Sequence, residues 1–125
     1  MAEQAPRGLV IGAPASGTGK TTVTLGLLTA LRERGVRVAA VKSGPDYIDP
    51  AFHQAATGRP SVNLDNWAMG PDLLDGLAWK AGRDADLVVC EALMGLFDGV
   101  AGVGATGTGS TGSWRRAPAG RSCWW

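Results

Sequence analysis

Apolar and polar positions along the first ninety residues switch period in a regular order. Residues 8–13 (GLVIGA) form a short apolar run closed by turn residues, which predicts a buried strand. Beyond Gly19 the spacing becomes helical. Val23, Leu27 and Leu31 recur at i, i+4 and i+8, Leu28 and Ala30 widen the stripe, and Gly35 supplies a stop, so an amphipathic helix is expected over 19–34. Residues 36–41 (VRVAAV) read as a second strand. Asp49 followed by Pro50 has the N-cap-then-first-turn order of a short helix running to about Ala56. Another helix, PDLLDGLAWKAG, starts at Pro71 and stops at Gly82, and residues 87–90 (LVVC) make a third strand that delivers Glu91 at its C-terminal end. Strands separated by helices predict an α/β fold with a parallel sheet covered by helices. Residues 99–113 contain only Gly, Ala, Val, Ser and Thr. That composition leaves a loop, a linker and a Gly-rich ligand loop equally open.

Composition narrows the class. Of 125 residues, 45% are hydrophobic and 18% charged, enough for a core and too little charge for a disordered chain. No apolar run approaches the roughly 20 residues of a membrane helix, and MAEQAPRG lacks the layout of a secretory signal. Cys90 and Cys123 make no disulfide framework, and His53 is the only histidine, with no CxxC pair, which argues against zinc. A soluble cytoplasmic protein is expected, with no membrane or nucleic-acid partner. Net charge is +1, yet residues 1–98 carry 9 Lys/Arg against 11 Asp/Glu, while Arg115, Arg116 and Arg121 follow with no acid. Three of the five tryptophans (Trp114, Trp124, Trp125) share that last stretch, so the tail differs from the body.

Chemistry concentrates after the strands. Between the first strand and helix, residues 12–22 read GAPASGTGKTT. Ser16, Gly17, Thr18 and Gly19 are small enough for backbone N–H groups to turn toward a phosphate. Lys20 supplies a positive charge, Thr21 a hydroxyl for Mg²⁺, and Thr22 opens the helix whose N-terminus favours anions. Pro14 stands where the strict motif has glycine, so the loop is a variant. The second strand ends in KSGPDYIDP, residues 42–50. Lys42 is a candidate for neutralising phosphate or carboxylate charge, and Asp46 and Asp49 for holding Mg²⁺ or orienting substrate; a plain Gly-Pro-Asp turn with Asp49 as N-cap is the alternative. Glu91 stands where nucleotide-hydrolysing folds place a metal-orienting carboxylate. Asp98 follows in a Gly-flanked turn. Cys90 reads as a buried small hydrophobe, His53 as a helix-surface residue, and Met94 and Phe97 as packing residues.

Four ordered blocks carry a more specific signal: APASGTGKTTVTLGLL, KSGPDYIDPAFH with ATG following, NLDNWAM, and VVCEALMGLFDG. Over residues 8–110 they resemble the N-terminal ATP-binding domain of the cobyrinic/hydrogenobyrinic acid a,c-diamide synthases, whose variant phosphate loop is shared with dethiobiotin-synthetase-like relatives. The resemblance implies a doubly wound phosphate-loop NTPase sheet, incomplete here, with ATP and Mg²⁺ as cofactors. It also implies amidation of the a and c carboxylates of a corrin in cobalamin biosynthesis, through an acyl phosphate and glutamine-derived ammonia. Carried over, Lys20 serves the phosphates; Thr21, Asp49 and Glu91 the metal; and Lys42, Asp46, Tyr47, Asp49 and Asp98 the substrate or phosphorylated intermediate. Another phosphate-loop ATPase or ligase of the superfamily is the competing assignment. A partition-type ATPase would carry a second lysine early in the loop, where this chain has Pro14-Ala15-Ser16.

The resemblance further implies a C-terminal glutaminase domain, which is not expected within these 125 residues, and homodimerisation of the full-length enzyme. Residues 1–112 therefore read as a partial ATP-binding domain, expected to be inactive alone, and 113–125 as an aberrant tail. Shifting the tail's frame by one base turns Trp125 into valine, Trp124 into leucine, and Cys123 and, for a TCN codon, Ser122 into apolar residues, as a buried strand needs. A genuine Trp/Arg tail binding membrane interfaces or single-stranded nucleic acid is the competing reading.

Overall fold

A computed structural model describes residues 7–95 and 97–111. The tail at 113–125 and Cys123 lie outside these residues. The order is β1 (Arg7–Ile11), α1 (Lys20–Glu33), β2 (Val38–Ser43), α2 (Asp49–Thr57), β3 (Val62–Leu64), α3 (Pro71–Gly82) and β4 (Leu87–Glu91). All neighbouring strands are parallel, in the spatial order β1-β4-β2-β3.

Strand alternation builds two cores. Val38, Ala40 and Val89 face α1 and α2, packing with Leu28, Leu31 and Ala56. Their chain neighbours Ala39, Val41, Val88 and Cys90 face α3, against Leu74, Ala78 and Ala81. Helices thus cover both faces, and the predicted α/β class with a parallel phosphate-loop-type sheet holds. Cys90 is fully buried as expected, and burial pushes its thiol up to about 12.

Three local expectations are corrected. In α1 the buried residues are Thr24 and Leu28, whereas Val23 is 62% exposed, so the inward stripe is rotated by one residue. The second strand begins two residues late because the Val36 amide bonds to the Leu31 carbonyl, which spends Val36 on the exit turn of α1. Met94 and Phe97 are exposed rather than packed. The short strand β3 was not anticipated; it pairs Val62, Asn63 and Leu64 with Val41, Lys42 and Ser43.

The small-residue segment is a docked loop. Ala105 N–H donates to the Trp67 carbonyl (2.7 Å) and Thr106 N–H to that of Asn66 (2.9 Å), while the Asn66 side chain takes Gly109 N–H (2.7 Å) and donates to the Ser110 carbonyl (3.1 Å). At Gly104 a Cβ would collide with the Trp67 backbone, which cannot yield as a side-chain tip would. Gly104→Ala is expected to lift the loop at a cost of about 1–3 kcal/mol. The checks are a lower denaturant midpoint and faster proteolysis within 99–111; an unchanged midpoint would refute the docking.

Candidate functional site

Parallel pairing sets Ile11, Glu91 and Lys42 side by side at the C-terminal ends of β1, β4 and β2. By alternation Glu91 and Lys42 point to the face carrying α1 and α2. Both are almost completely buried, at 0% and 2% exposure. The site therefore forms where the strand face, the first turn of α1 and the first turns of α2 meet.

From α1 come the phosphate-loop groups. Gly17 and Gly19 have φ of 76° and 88°, in the left-handed region that favours glycine, and this curls the loop into the helix. No side-chain oxygen caps the N-terminus of α1 and no acid occupies its first turn, so its amides and partial positive charge face the cleft. Thr21 Oγ1 donates to Glu91 Oε1 (2.5 Å), and Lys20 Nζ lies 3.4 Å from the same oxygen. Thr18 Oγ1 is bound within the loop to the Ala15 carbonyl (3.0 Å).

The segment after β2 surrounds Lys42. Its Nζ donates to Asp49 Oδ2 (2.8 Å) and to the Ala92 carbonyl (3.2 Å), with Glu91 Oε1 at 3.5 Å and Asp46 Oδ2 at 3.8 Å. The N-cap of α2 is Ile48 rather than Asp49, and in the turn ahead of it Asp46 Oδ1 accepts the N–H groups of Ile48 (2.8 Å) and Asp49 (3.1 Å). Asp49 is itself the first helical residue, with its carboxylate left for Lys42.

His53 overturns its surface reading. It is 0% exposed, with Nε2 2.6 Å from Glu91 Oε2 and Nδ1 3.2 Å from Ser61 Oγ. Hydrophobicity misleads here, since Phe52 beside it faces outward at 53% exposure. The available signal is spacing: Asp49, His53 and Thr57 recur every four residues, and they form the inward face of α2.

Charge is balanced within this cluster. Burial opposes ionisation of Glu91, yet hydrogen bonds from His53 and Thr21 and the charge of Lys42 hold its carboxyl down at about 2. Burial likewise opposes the Lys42 charge, but the bond to Asp49 and the nearby carboxylates outweigh it and raise its pKa. Asp46 is lowered, burial being outweighed by the two amides bonded to it and by Lys42.

A cleft of about 400 Å³, within the range of small-ligand sites, opens over Lys42 and Asp46, while the fully buried Glu91 is not among its lining residues. Ser16, Gly17, Gly19, Lys20, Thr21 and Thr22 form its phosphate-loop wall, and Lys42, Asp46, Asp49, Leu93 and Met94 the opposite one. Tyr47 is not among the cleft residues and is 89% exposed. Asp98 is likewise not among the cleft residues; its Oδ2 accepts the Gly95 N–H (2.9 Å), and Gly95 passes close to the Pro14 carbonyl. Among the described residues no three His, Cys, Asp or Glu side chains are grouped to enclose a metal. Mg²⁺ needs no such cage, since it takes one or two protein oxygens and completes its shell with phosphates and water. The adjoining oxygens of Thr21 and Glu91, set against the phosphate loop, fit it.

Residues 9–103, which include every cleft residue, match the CobQ/CobB/MinD/ParA nucleotide binding domain. The chain belongs to that family. Among curated relatives of this family member, hydrogenobyrinate a,c-diamide synthase of Mesorhizobium japonicum is 58% identical over 103 residues, covering 82% of this chain and 24% of the relative. The protein of that name from Rhodobacter capsulatus is 59% identical over 108 residues (86% and 25%), and that from Rhizobium meliloti 61% over 99 residues (78% and 23%). The resemblance read from the four sequence blocks is thereby borne out. The chain spans about a quarter of the length of these relatives. No helix among the described residues is long and apolar enough to cross a membrane.

Proposed function

We propose that this cleft binds ATP with Mg²⁺, and that the chain represents the ATP-binding part of a hydrogenobyrinate or cobyrinate a,c-diamide synthase. The observation that carries the reading is the meeting of Lys20, Thr21 and Glu91 at one point beside the phosphate loop, facing a second wall of Lys42, Asp46 and Asp49.

On this reading the loop amides of residues 16–22 and Lys20 hold the β- and γ-phosphates. Thr21 and Glu91 would hold Mg²⁺, with Asp49 as a further candidate ligand. Bound there, the metal neutralises phosphate charge and orients the terminal phosphoryl group. Lys42 and Asp46 organise the opposite wall, and Tyr47 and Asp98, outside the cleft lining, contact the corrin. A corrin acetate oxygen attacks the γ-phosphorus, the bond to the β-phosphate oxygen breaks, and ADP leaves. Ammonia derived from glutamine elsewhere in the whole protein then attacks the acyl carbon, phosphate departs with the C–O electron pair, and loss of a proton leaves the amide. The chain's part is to hold two anions in line, which positioned cations accomplish without covalent chemistry of their own.

Equilibrium binding of ATP to the 125-residue chain, with and without Mg²⁺, tests the reading. Lys20→Ala is expected to weaken ATP binding by about 10- to 100-fold, since a hydrogen bond to a charged group contributes about 1.5–3 kcal/mol. Absence of saturable binding by the unaltered chain, or equal binding by the variant, would sink it.

A further inference from the structure

The buried imidazole of His53 has no place in the phosphate chemistry above, yet it makes one of the shortest polar contacts in the molecule, 2.6 Å to Glu91 Oε2. The two oxygens of Glu91 are divided between different elements. Oε2 turns to α2 and meets His53; Oε1 turns to α1 and meets Thr21 at 2.5 Å, with Lys20 and Lys42 at 3.4 and 3.5 Å. A carboxylate rotates easily about its last torsion, whose preference is broad and roughly two-fold. Fixing one oxygen therefore fixes the other.

We propose that His53 is a positioning residue: it grips Glu91 Oε2 so that Oε1 is presented, in one orientation, to Thr21 and the place where Mg²⁺ binds beside the phosphates. This rests on the nucleotide reading above and adds to it the group that orients the metal-holding carboxylate. An ionised carboxylate only accepts, so Nε2 carries the hydrogen and donates to Oε2. The Ser61 hydroxyl, 3.2 Å from Nδ1, completes the ring's bonding, and the line Ser61–His53–Glu91–Thr21 runs from the residue before β3 to the first turn of α1. His53 is one turn from Asp49 on α2, so the same helix face sets both Glu91 and the partner of Lys42. A packing role alone does not call for this arrangement, because burying a polar pair is costly and an apolar pair fills the same space more cheaply.

His53 is the chain's only histidine, so its ring nitrogens can be read by ¹⁵N NMR without assignment. In the nucleotide-free chain Nε2 is expected to carry a slowly exchanging proton whose signal shifts in Glu91→Gln; an Nε2 without hydrogen would overturn the proposal. Binding of ADP with and without Mg²⁺ then separates positioning from packing. His53→Asn places an amide near the Nδ1 position and reaches Ser61 but not Glu91. It is expected to lose about 10- to 100-fold of the Mg²⁺-dependent gain in ADP affinity, the usual effect of removing a partner that orients a metal ligand. Its metal-free ADP affinity should stay within about twofold on the same argument, because the phosphate loop is untouched. His53→Gln places its amide nitrogen where Nε2 stands and should recover most of the gain. An unchanged gain in His53→Asn, or an equal loss with and without metal, would overturn the positioning role while leaving nucleotide binding intact. If His53→Asn does not fold, a loss of the gain in folded His53→Gln overturns it instead. No ADP binding by the unaltered chain would overturn the nucleotide reading and this inference together.

Discussion

Lys42→Met is expected to destabilise the chain by about 3–5 kcal/mol, the usual cost of removing one partner from a buried ion pair. Methionine nearly reproduces the apolar stem, so the loss isolates the ammonium. That ammonium stands within 4 Å of Asp46, Asp49 and Glu91, which would be left as three neighbouring carboxylates, Glu91 fully buried and the two aspartates partly so. Among the described residues only Lys20, 3.4 Å from Glu91, would remain as a nearby cation. Against a typical total of about 5–15 kcal/mol, a loss of this size leaves a visibly unfolded fraction at room temperature in all but the most stable chains. Denaturant midpoints with unchanged slope measure it. A loss below about 1 kcal/mol, the range of an exposed pair, would mean that the three carboxylates are effectively solvated.

Acid should act on the unaltered chain in the opposite direction from the way it acts on that variant. Glu91 has a native pKa lowered from 4.5 to about 2, so the unfolded chain takes up its proton first. The stabilisation is complete above about pH 4.5 and is lost as pH falls through about 2, amounting to about 3 kcal/mol at 1.36 kcal/mol per unit. Asp46 shifts the same way, as does Asp86, which is paired on the surface with Arg37 and whose share salt would screen. Glu91→Gln should remove most of this acid-dependent loss. In Lys42→Met the unpaired carboxylates bind protons more tightly when folded, so mild acid should stabilise it. Chemical denaturation across pH 2–7 reads both slopes, and parallel profiles for the three proteins would refute the assignment.

What the sequence made legible follows the range of each interaction. The helix over 71–82 was readable because it is long and closed by its own turn residues, and the strand ending at Glu91 because its short apolar run is unbroken. Lys20 and Thr21 were readable because a phosphate loop is a local object in which spacing along the chain is spacing in space. β3 escaped because three residues carry no period; its pairing with Val41–Ser43 makes it a strand. Lys42, Asp46 and Asp49 could be named as a group because their contacts span only four and seven residues, whereas the Lys42–Glu91 contact depends on the register of β2 with β4, which no short window contains. His53 was missed for the same reason. Its partner is 38 residues away, and a polar residue beside an outward Phe52 looks solvent-facing until the sheet beneath α2 is known.

The strand order also carries a consequence for the order of synthesis. The innermost partner of β1 is β4, and the groups that Lys20 and Thr21 meet on Glu91 lie 71 and 70 residues further along the chain. At about 5–20 residues per second a ribosome takes several seconds to bridge that interval. Throughout it the phosphate loop and α1 exist without the strand that shapes them, and β1 lacks β4, its one partner among the described strands. Loop closure over such a distance costs entropy before any contact returns it, which places assembly among the slower folding classes. The nascent chain thus carries its apolar first strand without β4 throughout this interval, and the site forms only once β4 has been made.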